Sequence, residues 1–366
     1  MGGFTKQIRP LINREVNMSA ASIKKVIFKG ETLNYAGKQF YTTPKDAKTL
    51  LEQKGIAIIP NVLDENECHQ MNEGMWKTAE YLTSKLENPL IPSDPSTYDS
   101  LSFLEDEPPG LIWSWGWGHA QYVWDVRSNA KVGEVFENIY DTDDLLVSFD
   151  GINCNLGALT SNQKFTYKGK KNFHCDQRFN KNGFECIQSW ITANPINVGD
   201  GTLRILQGSH LLHGKFRKVF EDQLTALDED WHVLTQEQIQ WYKDQGCQDI
   251  CIVCPAGSQV CWDSRTIHCG MAALHTKDLQ LDMQKNQRQH RNVVYVCMMP
   301  AEGASKECFE TRKAIFGSVE LRLKSASHWP KYMTLQPEPS LKSQHIKVPE
   351  MPFPNLNERG KKLAGL

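Results

Sequence analysis

Hydrophobic and polar positions change period along this chain. After Asp64, the residues Cys68, Met71, Met75, Ala79, Leu82 and Leu86 recur at spacings of three and four. Those positions fall on one side of a 3.6-residue helix. Asp64-Glu65-Asn66-Glu67 reads as a capping box, so the spacing predicts an amphipathic helix that starts there. Just before it, residues 50–59 read as a helix end running into the short strand Ile56-Ala57-Ile58-Ile59. Val132, Val135, Phe136, Ile139 and Tyr140 predict a second, shorter helix. From Leu145 the pattern turns to short apolar runs divided by Gly, Asn and Asp. Strands are predicted at 145–153, 171–176, 185–194, 202–206, 250–254, 258–263 and 292–299. Many short strands with turn residues between them favour a sandwich or barrel.

Other stretches punctuate this pattern. Residues 87–110 hold five prolines and read as a loop or lid. Trp113, Trp115 and Trp117 alternate, which predicts a strand carrying three indoles on one face. That face either walls a substrate or packs against helices outside the barrel. Residues 215–246 form a helical, acidic insertion and 271–290 a polar, Gln-rich one.

Composition narrows the function classes. The 366 residues are 40% hydrophobic and 23% charged, an ordinary globular balance, and the net charge of −2 gives no electrostatic footing for nucleic acid or an acidic membrane. The N-terminus lacks the apolar core of a signal peptide, and no apolar run reaches membrane-spanning length. A cytoplasmic protein with a small-molecule substrate is expected. The 11 cysteines are scattered, which suits free thiols. Cys251 and Cys254, with Cys247 nearby, lack the second ligand pair of a structural zinc site.

The candidate chemistry starts at His174 and Asp176. In a strand, residues two apart share a face, so one imidazole and one carboxylate point the same way. His268 follows in a second strand-like run. Two His and one carboxylate form the facial triad of non-haem Fe(II) oxygenases. Arg291 opens the run that follows, and its planar guanidinium suits the far carboxylate of a chelating 2-oxoglutarate. Arg288 competes for that role.

These residues stand in order with a Gly-rich turn, Asp200-Gly201-Thr202-Leu203-Arg204-Ile205-Leu206-Gln207-Gly208-Ser209-His210. The set His174-Cys175-Asp176, this turn, His268 and then Arg291 resembles the phytanoyl-CoA dioxygenase family of Fe(II)/2-oxoglutarate oxygenases. The resemblance covers about residues 50–300. It implies a mainly β fold with flanking α-helices around a double-stranded β-helix, or jelly roll. It assigns His174, Asp176 and His268 to Fe(II), and Arg291 to 2-oxoglutarate, with O2 as second co-substrate. Trp190 and Asn155 lie near positions that line the co-substrate pocket in relatives. His210 is not a ligand on this reading, and Gly201 and Gly208 supply unusual dihedrals. The stretch from His268 to Arg291 is longer than the family's usual interval, so 271–290 must loop out.

The implied organisation is an N-terminal extension (1–49), the dioxygenase domain (50–300) with its two insertions, and a C-terminal segment (301–366) packing on the core with a partly loose tail. The implied activity is hydroxylation of a small organic or acyl substrate with release of succinate and CO2. The alternative is a non-catalytic jelly-roll binding or scaffold protein that keeps a metal site.

Overall fold

A computed structural model describes residues 23–106, 110–159, 165–169, 172–224, 230–275, 289–324, 328–333 and 348–366. Its strands, in chain order, are β1 (Lys24–Phe28), β2 (Glu31–Ala36), β3 (Ile56–Ile59), β4 (Leu111–Ile112), β5 (Leu145–Val147), β6 (Ile152–Asn155), β7 (His174–Cys175) and β8 (Ile187–Thr192). They continue with β9 (Thr202–Gln207), β10 (His232–Val233), β11 (Gln248–Ile252), β12 (Gln259–Asp263), β13 (His268–Met271), β14 (Arg291–Tyr295) and β15 (Met298–Pro300). Two sheets result. One runs β1-β2-β11-β9-β13-β7-β10; the other runs β3-β12-β8-β14-β6-β4, with β15 bridging β5 and β8. Neighbours are antiparallel except β2 and β11. The two facing sheets are a jelly roll flanked by helices.

Strand alternation divides the side chains between inside and outside. Leu203 and Ile205 of β9, Ile250 and Ile252 of β11, Val260 and Trp262 of β12, Trp190 of β8 and Val293 of β14 share one buried cluster, fed by both sheets. That cluster fills the space between the sheets. The intervening residues face outward: Leu206 and Cys269 join a cluster under the 215–246 insertion, and Cys261 joins the core beneath the large helix. Cys247, Cys251 and Cys254 fall into three different apolar clusters.

The predicted amphipathic helix is Glu65–Thr83, and its capping box is complete: Glu67 N donates to Asp64 Oδ1 at 2.9 Å and Asp64 N to Glu67 Oε2 at 2.8 Å. Such a cap contributes about 1 kcal/mol. The helix buries Cys68, Met71, Met75, Ala79 and Leu82 against the outer face of the second sheet.

Three expectations need correction. The tryptophan run is not a strand beyond Ile112. Trp115 (φ 64°) and Gly116 (φ 68°) are both left-handed, and two such residues reverse the chain. Trp115 and Trp117 therefore enter the helix-side core with Tyr122 and Trp124, where Trp117 Nε1 donates to Tyr122 Oη at 2.7 Å. Residues 145–153 divide into β5 and β6 because the chain breaks at Asp150-Gly151; a Cβ on Gly151 would lie 2.2 Å from the Ile112 carbonyl oxygen. In the Gly-rich turn Gly208 is left-handed (φ 87°) as expected, but Gly201 is not; Gly199 (φ 90°) takes that role.

The C-terminal segment is fastened by a buried arginine. Arg312 Nε and Nη groups donate to the carbonyls of Val147, Pro330, Leu363 and Ala364. Among the described residues, no helix is long and apolar enough to cross a membrane.

Candidate active site

β7 and β13 are adjacent in the first sheet, and His174 and His268 are direct register partners. Asp176 follows two residues after His174, just past the end of β7. The three side chains offer one ligand atom each, all within 4.8 Å of one another. His174 Nε2 lies 3.8 Å from Asp176 Oδ1, and His268 Nε2 lies 3.3 Å from Asp176 Oδ2.

The protein fixes which nitrogens face the centre. His174 Nδ1 is 2.8 Å from the Asn172 carbonyl oxygen, and His268 Nδ1 is 2.8 Å from that of Thr266. A carbonyl only accepts, so Nδ1 carries the proton and Nε2 presents its lone pair. Gln188 Nε2 donates to Asp176 Oδ2 at 2.7 Å and orients the carboxylate. Burial alone raises the Asp176 pKa, but the His174 and His268 imidazoles outweigh it and hold the carboxyl far below its usual range. Burial lowers the His174 pKa, keeping the ring neutral. Two imidazoles and one carboxylate, with space in front, are the donor set and open geometry that suit Fe(II).

The triad lines a cavity of about 580 Å³ between the sheets. Arg291 enters the same cavity from the second sheet. Burial lowers its pKa, and Tyr295, hydrogen-bonded to it, opposes that shift. Its guanidinium lies 5.6 Å above the Trp190 ring, and its Nε is buried with no hydrogen-bond partner. A buried guanidinium with an unsatisfied N–H and no carboxylate in reach, among the described residues, fits the distal carboxylate of 2-oxoglutarate. The indole N–H of Trp190 is also buried and unpartnered.

Asn155 is the register partner of Arg291, but its amide is engaged locally: it donates to the Phe165 carbonyl at 3.1 Å and accepts from Gly157 N at 3.3 Å. Asn153, two residues earlier on β6, lines the cavity instead. His210 stays out of the site, with Nε2 3.0 Å from the Glu52 carbonyl oxygen. Arg288 and residues 276–288 lie outside the described residues. Sequence reasoning did not single out Gln188, Tyr295, Asp150 or His328, all of which reach the cavity. Gln188 and Tyr295 had a faint signal, each sharing a strand face with Trp190 or Arg291; Asp150 and His328 had none. Burial raises the Asp150 pKa, and the neighbouring His328, the Gly151 N–H and Arg127 oppose that rise.

A family model described as phytanoyl-CoA dioxygenase (PhyH) matches residues 51–274, which include the triad but stop short of Arg291. Ava biosynthesis cluster protein O of Aspergillus versicolor is 28% identical over 210 residues, 55% of this chain, so the chain matches 62% of that protein's length. Among solved structures, GlcNAc Inducible Gene 2, GIG2 (DUF1479), from Candida albicans superposes with a TM-score of 0.50 at 14% identity, over 88% of this chain and 77% of that one. The non-heme alpha ketoglutarate dependent carbocyclase SnoK from nogalamycin biosynthesis gives a TM-score of 0.42 at 15% identity, over 71% and 87% of the two chains. The PhyH match spans more than half of the chain and contains all three triad residues, so the chain belongs to the phytanoyl-CoA dioxygenase (PhyH) family, whose cofactors are Fe(II) and 2-oxoglutarate.

Proposed function

We propose that this protein is an Fe(II)- and 2-oxoglutarate-dependent oxygenase that hydroxylates a small organic substrate and releases succinate and CO2. The observation that carries this reading is the convergence of His174, Asp176 and His268 on one cavity with Arg291, whose Nε has no hydrogen-bond partner. His174, Asp176 and His268 would hold the iron, and Arg291 the far carboxylate of 2-oxoglutarate. When bound, the metal and co-substrate supply O2 activation and the oxidising power for attack on a C–H bond.

The chain's own residues bind, orient and exclude. Asn172 and Thr266 fix the tautomers of the two imidazoles, and Gln188 holds the carboxylate at its angle. Tyr295 steadies the Arg291 fork over the Trp190 ring. Asn155 acts one step back, holding the turn behind Arg291. Leu203, Trp262 and Met271 give the cavity apolar walls that limit water. The curated relative carries the name of a biosynthesis cluster, which supports a small-molecule substrate.

Protein purified without oxygen and titrated with Fe(II) tests the reading. The expected result is about one iron per chain and succinate formed only with 2-oxoglutarate and O2. Iron binding without any 2-oxoglutarate binding would leave a jelly-roll scaffold and sink the oxygenase assignment.

A further inference from the structure

The cavity lining holds two residues to which the proposed metal and co-substrate sites assign no role. Asp150 and His328 both line it. Asp150 sits at the break between β5 and β6. Its main-chain oxygen accepts from Arg127 Nη2 at 2.6 Å, and its carboxylate Oδ1 accepts from Gly151 N at 2.7 Å. Arg127 directs its other Nη to the Gly118 carbonyl, so it does not pair with the Asp150 carboxylate. Among the described residues no cationic side chain forms an ion pair with that carboxylate. Beside it electrostatically is His328, whose Nε2 is buried with no hydrogen-bond partner. The cavity thus presents a carboxylate without an ion pair and an imidazole nitrogen without a hydrogen bond.

The charge balance of the lining gives this pair a meaning. Among the described residues that line the cavity, Arg291 is the one Lys or Arg, and 2-oxoglutarate claims it on the reading above. A carboxylate that faces a cavity without a direct ion pair is costly, and a ligand cation offsets that cost. Trp113 and Trp231 complete the wall, with Trp231 54% exposed at the rim. Indole faces attract a cation and accept a flat ring.

We propose that Asp150, assisted by His328, anchors a protonated nitrogen on a ring-bearing substrate that packs on Trp113 and Trp231. The substrate class is then an aromatic or polycyclic amine rather than an anionic acyl compound. This inference rests on the oxygenase reading for which bond is oxidised, but not for binding.

Three probes with the same indole and two-carbon arm separate the chemistry: tryptamine (ammonium), tryptophol (hydroxyl) and indole-3-propionate (carboxylate). Calorimetric titration uses the full chain with Fe(II) and 2-oxoglutarate under nitrogen. Tryptamine is expected to bind at least about tenfold tighter than either other probe, the scale of one desolvated charge pair. Asp150→Asn removes this preference, and His328→Gln weakens it about threefold. The charge-transfer absorbance of the iron with 2-oxoglutarate is read in the same samples and stays unchanged in both variants. Loss of that absorbance in the unmutated protein defeats the oxygenase reading and leaves the probe result standing. Equal affinity for the three probes overturns the amine assignment. So does tryptophol matching tryptamine, a preference that survives in Asp150→Asn, or no binding of tryptamine at all. The comparison among probes in the unmutated protein decides the matter even where a variant folds poorly.

Discussion

His174 and His268 face each other as register partners on adjacent antiparallel strands, with ring centroids 4.4 Å apart and planes at 59°. Two residues distant in sequence become neighbours because β7 and β13 lie side by side in the first sheet. Each ring donates its Nδ1 proton to a carbonyl two residues earlier, so both Nε2 atoms point to the same space. The site is preorganised by backbone pairing, and Asp176 completes it through a short, two-residue offset.

That preorganisation depends on Gln188, whose amide fixes Asp176 Oδ2 at 2.7 Å. Gln188→Leu keeps the volume and removes the donor. Iron affinity is expected to fall about 10–100-fold, the usual effect of losing a partner of a ligand. His268→Ala removes a proposed ligand and should abolish stoichiometric iron binding. Metal analysis after gel filtration checks both. Unchanged affinity in Gln188→Leu would show that the carboxylate needs no support.

Arg291 makes a separable prediction. In the proposed role a charge-assisted contact to the co-substrate would be worth about 1.5–3 kcal/mol, so Arg291→Gln should weaken 2-oxoglutarate binding by about 10–150-fold. Arg291→Lys keeps a charge but loses the planar fork, and should fall between the two. Iron affinity without 2-oxoglutarate should stay level in both. Calorimetry with and without the co-substrate makes the distinction. Weakening of iron alone would move Arg291 out of the proposed role.

The sequence carried the triad because a strand's period of two is local: His174 and Asp176 are close enough to be read together. Arg291 was legible as a basic residue opening an apolar run. Asn155 was read one alternation away from the residue that lines the cavity, Asn153, because the end of β6 turns into the Gly157 loop. Of the two roles open to the tryptophan run, Trp115 and Trp117 take the packing one, but not on a strand, because Trp115 and Gly116 are both left-handed. Asp150 and His328 gave no signal, since a strand break and a distant C-terminal segment bring them to the cavity and no spacing encodes that.

The same C-terminal segment supplies a stability test. Arg312 is fully buried and satisfies four carbonyls from three parts of the chain. Burial pushes its pKa down to about 10, so it remains charged at neutral pH. Arg312→Leu leaves those carbonyls without donors, and each buried orphan costs about 1–3 kcal/mol. The expected loss is several kcal/mol, seen as a lower thermal midpoint. Earlier proteolytic cleavage after residue 300 should accompany it. A midpoint within a degree or two of the parent would mean the segment is held by its apolar contacts instead.

His213 and His290 predict how stability follows pH. Burial pushes both imidazoles down to about 4, against an ordinary value of 6.5. His213 stacks on Phe179 with centroids 4.5 Å apart, and His290 lies 4.9 Å from the Trp76 ring, so neither has room to take up a hydrated charge. As pH falls through about 6.5, the unfolded chain binds protons that the folded chain refuses until about 4. The stability these groups contribute is therefore complete above 6.5 and declines across that window. Each histidine adds a slope of up to about 1.4 kcal/mol per pH unit. Urea midpoints measured from about pH 7.5 to about pH 4.5 should fall steadily below 6.5, and His290→Gln should flatten the fall by close to half of the two-histidine share. An unchanged slope in His290→Gln would mean that this ring protonates freely in the folded protein.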